Sequence, residues 1–200
     1  MPQIVILAGP NGAGKSTLAA RFVPPGVPFL NADNIARSLT PAPGQNADIA
    51  AGRLLLVQID EAVRARTSFA IETNLANRTL AKRIPHWQNA GYLVSLVFVW
   101  IPSADFAVQR VASRVRSGGH HIPEATVRRR YQAGLRSFFE VYQPLANTWR
   151  LYDNSDPAGA TLVAQGRVKR LQTWNRIREE LNNGNDEFGD ARGRTGSAVS

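Results

Sequence analysis

Short apolar runs alternate along the chain with longer stretches whose apolar residues recur every three to four positions. The runs predict buried strands and the stretches predict amphipathic helices, and their alternation predicts parallel strands joined by crossover helices. Ile4–Ala8 reads as a first strand, and a helix begins at about Thr17. Val27–Asn31 predicts a short second strand reaching Asp33, with Asn34–Ser38 as a helical turn after it. Asp48–Arg66 predicts a helix with Leu54, Leu55, Ile59 and Val63 on one side, and Phe69–Ile71 a third strand ending at Glu72. Thr79–Ala90 is expected to be helical, interrupted near Pro85. Tyr92–Trp100 is the longest and most apolar run and is expected at the sheet centre. Ala104–Arg116 predicts a helix capped by Ser103. Ser117–Pro123, with two glycines and a proline, predicts a mobile loop, and Glu124–Tyr142 another helix. Trp149–Tyr152 reads as a short strand running into Asp153-Asn154-Ser155, Thr161–Ala164 as an edge strand, and Val168–Leu181 as the last helix. Beyond it the chain is rich in Gly, Asn, Asp and Ser, so 183–200 is expected to be a disordered tail on one α/β domain covering 1–182.

Between the first strand and its helix stands Gly9-Pro10-Asn11-Gly12-Ala13-Gly14-Lys15-Ser16, a complete G-x-x-x-x-G-K-[ST] phosphate-binding loop in the strand–turn–helix context the motif requires. Glycines let the backbone N–H groups curl inward toward an anion, and the helix N-terminus adds partial positive charge at the same place. Lys15 is expected to reach the β- and γ-phosphates of ATP, and the Ser16 hydroxyl to take one position on Mg²⁺. The expected nucleotide-binding set is Gly9, Pro10, Asn11, Gly12, Ala13, Gly14, Lys15, Ser16 and Thr17. A plain glycine-rich turn would not need every fixed position and both flanking elements to match.

The chain has no cysteine, which excludes disulfides, thiolate metal sites and cysteine nucleophiles. No run of eighteen apolar residues predicts a membrane span, and the first strand begins too early to leave room for a signal peptide, so a cytoplasmic location is expected. The net charge is +9 and uneven. Arg110–Arg136 holds seven arginines against the single acid Glu124, and the only lysines of the chain are Lys15, Lys82 and Lys169. Arginine grips phosphate through two parallel hydrogen bonds, so this segment is expected to be an arginine-rich lid over the triphosphate, with a nucleic-acid patch as the less favoured reading. Arg110 and Arg114 share a helix face. Arg128, Arg129 and Arg130 point in different directions, so one or two of them reach the site.

Ligands of open parallel sheets bind at the carboxyl ends of the strands, where Asp33, Glu72 and Asp153 fall. Phosphoryl transfer needs a base for the acceptor proton, a carboxylate for the metal shell and cations for the migrating charge. Asp33 is the candidate base, and it is also a candidate N-cap. Glu72 is either a metal-shell acid, reaching Mg²⁺ through water, or a binder of the acceptor hydroxyl. Asp153 is a weaker candidate nucleotide contact, since Asp-Asn-Ser is also an ordinary turn.

The segments GPNGAGKST, NADNIA, FAIETNLA, RVASRVRSGGHHIPEATVRRRY and LYDNS, spanning about residues 3–155, resemble the zeta-toxin family of P-loop kinases in its short stand-alone bacterial form. The resemblance implies a nucleotide-kinase-like sheet with the third strand beside the P-loop strand. It implies Asp33 as the base that activates a sugar hydroxyl, Lys15 and Ser16 as the holders of ATP and Mg²⁺, and Arg114 with Arg129 or Arg130 as the arginines that stabilise the phosphoryl group. Glu72, Thr73, His120 and Arg130 form the implied acceptor side. The family phosphorylates the 3′-hydroxyl of UDP-N-acetylglucosamine and is held inactive by a small antitoxin that blocks the nucleotide site. Against the larger toxins of that family, the extended C-terminal region is expected to be missing from this shorter form. Two alternatives stay open: a kinase of another nucleotide or of a nucleic-acid end, and an ATPase switch without an acceptor.

Overall fold

The computed structural model describes residues 1–39, 46–119, 121–168 and 170–189. Seven strands form one sheet in the order β2-β3-β1-β4-β5-β6-β7. Strands β1 (Gln3–Ala8), β2 (Phe29–Asn31), β3 (Phe69–Thr73), β4 (Leu93–Trp100) and β5 (Thr148–Asp153) run parallel, β6 (Thr161–Gln165) pairs antiparallel with β5, and β7 (Arg167–Val168) pairs antiparallel with β6. As expected from its apolar length, β4 lies in the middle. The outer edge is β7 and not β6, because Gly166, at φ +59°, turns the chain back within one residue. That turn also displaces the last helix from the expected start at Val168.

Helices α1 (Lys15–Phe22), α2 (Ala32–Ser38), α3 (Ala47–Arg64), α4 (Ile84–Asn89), α5 (Ala104–Arg116), α6 (Glu124–Ser137), α7 (Gln143–Leu145) and α8 (Leu171–Gly189) cover the sheet. Pro85 sits in the first turn of α4, behind a 3₁₀ turn at Ala81–Arg83, so it starts a helix where an interruption was expected. Ser103 caps α5, its Oγ accepting from Phe106 N at 3.1 Å. The helix expected over Glu124–Tyr142 changes at Phe138 into a π-helical turn, Phe138–Tyr142, that rotates Phe138 and Phe139 into an aromatic cluster with Phe98, Trp149 and Trp174. Helix α8 extends seven residues into the segment expected to be disordered, since elongating an existing helix gains one hydrogen bond per residue. Residues 190–200 lie outside the described ones.

The π-helical turn also aims Tyr142 under a loop. Its hydroxyl donates to Asn77 O at 2.9 Å and accepts from Ala81 N at 3.2 Å, fixing Asn77–Ala81. Burial pushes the Tyr142 pKa from 10.0 up to about 12, so the protonated phenol contributes stability that is full below about pH 10 and lost as pH rises through about 12. Tyr142→Phe is expected to lower stability by about 1–3 kcal/mol at neutral pH by leaving Ala81 N–H without its partner. It should also flatten the alkaline fall in melting temperature. Burial raises Tyr131 as well, so part of that fall remains. A Tyr142→Phe chain with an unchanged melting curve from neutral to alkaline pH contradicts this account.

Candidate active site

The strand order places β3 directly beside β1, and their registers align the carboxyl ends. Asn31 of β2 pairs with Glu72 of β3, and Glu72 pairs with Leu7 of β1, one residue before the strand ends. The phosphate loop leaves β1 at Gly9, whose φ of +143° excludes a side chain; a Cβ there would stand 2.2 Å from Val99 O of β4. Gly12 and Gly14 also take positive φ. Gly14 precedes α1 with no side-chain cap, so the first N–H groups of that helix remain available to an anion.

Lys15 is buried, at 7 % exposure, and its Nζ donates to Pro10 O at 2.9 Å and lies 3.7 Å from Glu72 Oε1. Burial lowers its pKa, opposed by the carboxylates of Glu72 and Asp33 and reinforced by the positive charge of Arg114. The ammonium is held ready for more negative charge than the protein itself supplies. Ser16 Oγ donates to Glu72 Oε2 at 2.7 Å, and Asn31 Nδ2 donates to the same oxygen at 2.9 Å. A hydroxyl and a carboxylate side by side at the mouth of a phosphate loop are the hard oxygen donors that Mg²⁺ takes when phosphates complete its shell. The residues therefore fit ATP with Mg²⁺. Among the described residues no cluster of three His, Cys, Asp or Glu offers another metal site.

Asp33 does not cap a helix. Asn31 does, accepting from Asp33 N at 2.7 Å and Asn34 N at 3.3 Å. Asp33 then falls in the first turn of α2 with its carboxylate exposed and no hydrogen bond or ion pair from it among the described residues. Asp153 turns away from the phosphate loop: it accepts from Ser155 N and Oγ and lies 3.4 Å from Arg176 Nη2 of α8. Its neighbour Asn154 faces the loop instead, Nδ2 donating to Ala13 O at 2.8 Å. Asn154→Ala should free that carbonyl and weaken nucleotide affinity by about 1 kcal/mol, roughly fivefold. Equal affinity by calorimetry would show that the clamp does not shape the loop.

A cavity of about 670 Å³ opens from Asn11, Lys15, Asp33 and Glu72 outward between α3 and α6. Thr73, Asn74, Asn77, Arg53, His121, Arg129 and Arg130 line it, with Ile49, Leu55, Leu56 and Ile122. Thr73 Oγ1 is engaged by Leu75 N at 3.1 Å. His120 lies outside the described residues. Arg129 and Arg130 reach the cavity, whereas Arg128 is tied to Glu124 and to Asp105 at the start of α5. Arg110 stacks over Phe106, 4.6 Å from the ring centroid, with Nη1 at 3.5 Å from Gly12 O, and so braces the loop from outside. Arg114 packs beside Gly119 at the end of α5. Helix α6 lies so close to the cavity floor that a Cβ on Gly134 would stand 2.2 Å from Asn74 O. Sequence reasoning missed Asn31, Arg53 and Asn154. Only Arg53 left a signal, as part of the stripe Asp48, Gly52, Arg53 and Leu56 at helical spacing.

The model of the family described as AAA domain matches residues 4–137. The chain belongs to the AAA-domain family. An uncharacterized protein of Haemophilus influenzae is 31 % identical over 129 residues, which is 64 % of this chain and 92 % of the relative. Among solved structures, AvrRxo1-ORF1 in its complex with AvrRxo1-ORF2 and ATP superposes with a TM-score of 0.69 at 17 % identity, over 88 % of this AAA-domain chain and 63 % of that one. This chain thus spans less than two thirds of that protein's length. The PezAT chromosomal toxin–antitoxin system of Streptococcus pneumoniae superposes with a TM-score of 0.62 at 14 % identity, over 97 % of this chain and 88 % of that one. At such identities the likeness shows a shared P-loop α/β fold. Among the described residues no helix is long and apolar enough to cross a membrane.

Proposed function

We propose that the protein is an ATP-dependent kinase of the zeta-toxin kind. It transfers the γ-phosphoryl group of ATP to a hydroxyl of a sugar nucleotide, UDP-N-acetylglucosamine, and acts in the cytoplasm as a toxin restrained by a small antitoxin protein. The observation that carries this reading is the cavity beside the phosphate loop. It begins at Lys15, Glu72 and Asp33 and continues to Arg53, Arg129 and Arg130, leaving room for a second substrate of nucleotide size. An ATPase switch has no use for such a space. The resemblance of the sequence segments selects the sugar nucleotide, and the arginines suit its diphosphate.

Gly9–Thr17 cradles the ATP phosphates. Ser16, with Glu72 beside it, would hold Mg²⁺, which would supply charge neutralisation to the transferring phosphoryl group. Asp33 takes the proton of the acceptor hydroxyl as its oxygen attacks the γ-phosphorus, and ADP departs. Lys15, Arg114 and Arg129 offset the charge in transit, while Glu72, Thr73, His120 and Arg130 hold the acceptor.

The test is incubation with ATP and Mg²⁺ against sugar nucleotides, free nucleotides and RNA ends, read by mass spectrometry. UDP-N-acetylglucosamine should gain one phosphate for each ADP formed. Unmodified UDP-N-acetylglucosamine beside phosphorylated RNA ends or nucleotides gives the acceptor to those classes. ADP with no phosphorylated product makes the protein an ATPase.

A further inference from the structure

We propose that Asn31 is a positioning residue that fixes the distance between the acceptor-side carboxylate, Asp33, and the metal-side carboxylate, Glu72. Asn31 ends β2 opposite Glu72 in the sheet register and is buried, at 6 % exposure. Its amide works at both ends. Oδ1 accepts from Asp33 N and Asn34 N, holding the first turn of α2. Nδ2 donates to Glu72 Oε2, the oxygen that also accepts from Ser16 Oγ. One rigid planar group therefore spans the helix that carries Asp33 and the carboxylate that meets Ser16 and Lys15.

The residue type answers to both ends at once. A helix cap needs only the oxygen, which aspartate or serine supplies as well as asparagine. The donor is surplus to capping, and an aspartate here would set a second carboxylate against Glu72 at hydrogen-bond distance. Displacements of about 1 Å between reacting groups can lower rates about 10²-fold, so a short buried link between them has kinetic weight. The roles of Asp33 and Glu72 rest on the kinase reading above; the link itself does not.

Asn31→Asp separates the two ends, keeping the cap and removing the donor. It should fold, bind ATP with nearly unchanged KM and lose about 10–100-fold in kcat. Combining it with Glu72→Gln reverses the polarity of the contact, since the glutamine amide donates to the aspartate. The double variant should melt above Asn31→Asp alone while transfer stays lost. If Asn31 only caps α2, Asn31→Asp transfers phosphate at the wild-type rate with the wild-type melting temperature, and the proposal is overturned. It is also overturned if the double variant melts no higher than Asn31→Asp. Should the unmodified protein phosphorylate no acceptor, the kinase reading fails, and the melting comparison still decides whether Asn31 holds Glu72.

Discussion

Lys15→Ala is expected to slow phosphoryl transfer by at least about 10²–10³-fold while leaving the fold intact. The ammonium sits at the bottom of the phosphate loop, held by Pro10 O and facing Glu72, where bulk water does not screen it. An interaction with charge that builds on the phosphoryl oxygens is strongest in such a place. The substitution should not destabilise the chain. Burial lowers the pKa of Lys15, so folding works against its charge, and Glu72 keeps Ser16 and Asn31 as partners once the lysine is gone. Melting temperature equal to or above the wild type, together with lost transfer of labelled phosphate, is the expected pair of results. Near-normal turnover in Lys15→Ala would remove the kinase reading altogether.

Asp33→Asn is expected to bind ATP with Mg²⁺ as the wild type does and to transfer phosphate about 10²–10⁴-fold more slowly, the usual contribution of a positioned base. The structure makes this comparison cleaner than the sequence allowed. Asn31 already caps α2, so the substitution touches no cap. It removes only a first-turn negative charge, worth about 0.3–1 kcal/mol beside the helix N-terminus. A small drop in melting temperature with a large drop in turnover identifies chemistry as the loss. Unchanged turnover would leave Asp33 as a surface charge on α2 and move the base elsewhere in the cavity.

What could be read from the chain alone was whatever leaves a local pattern. The phosphate loop, the five parallel strands and the Ser103 cap depend on neighbours a few residues away, and each is visible in spacing. The N-cap of α2 was misplaced because Asn31 and Asp33 are both favoured caps two residues apart; only the sheet register, which turns Asn31 toward Glu72, separates them. Pro85 reads equally as a break or as a first-turn residue. Asn154 clamps Ala13 from 141 positions away, and Arg128 is held by Asp105 on another helix. No periodicity records such partners. The cavity has the same character, since Arg53, Asn74 and Arg130 meet only after the sheet has ordered its strands.

The clamp from Asn154 to Ala13 also sets an order of events during synthesis. The phosphate loop is made before the residues that define its walls, Val99 of β4 and Asn154 beyond β5. The early strands can pair as they emerge, but the loop has no rigid outline until Asn154 is available. Contacts so distant in sequence close late, because the entropy of the intervening chain opposes them until the sheet is in place. A growing chain thus carries its sheet through β5 and Asn154 before it has a formed nucleotide site.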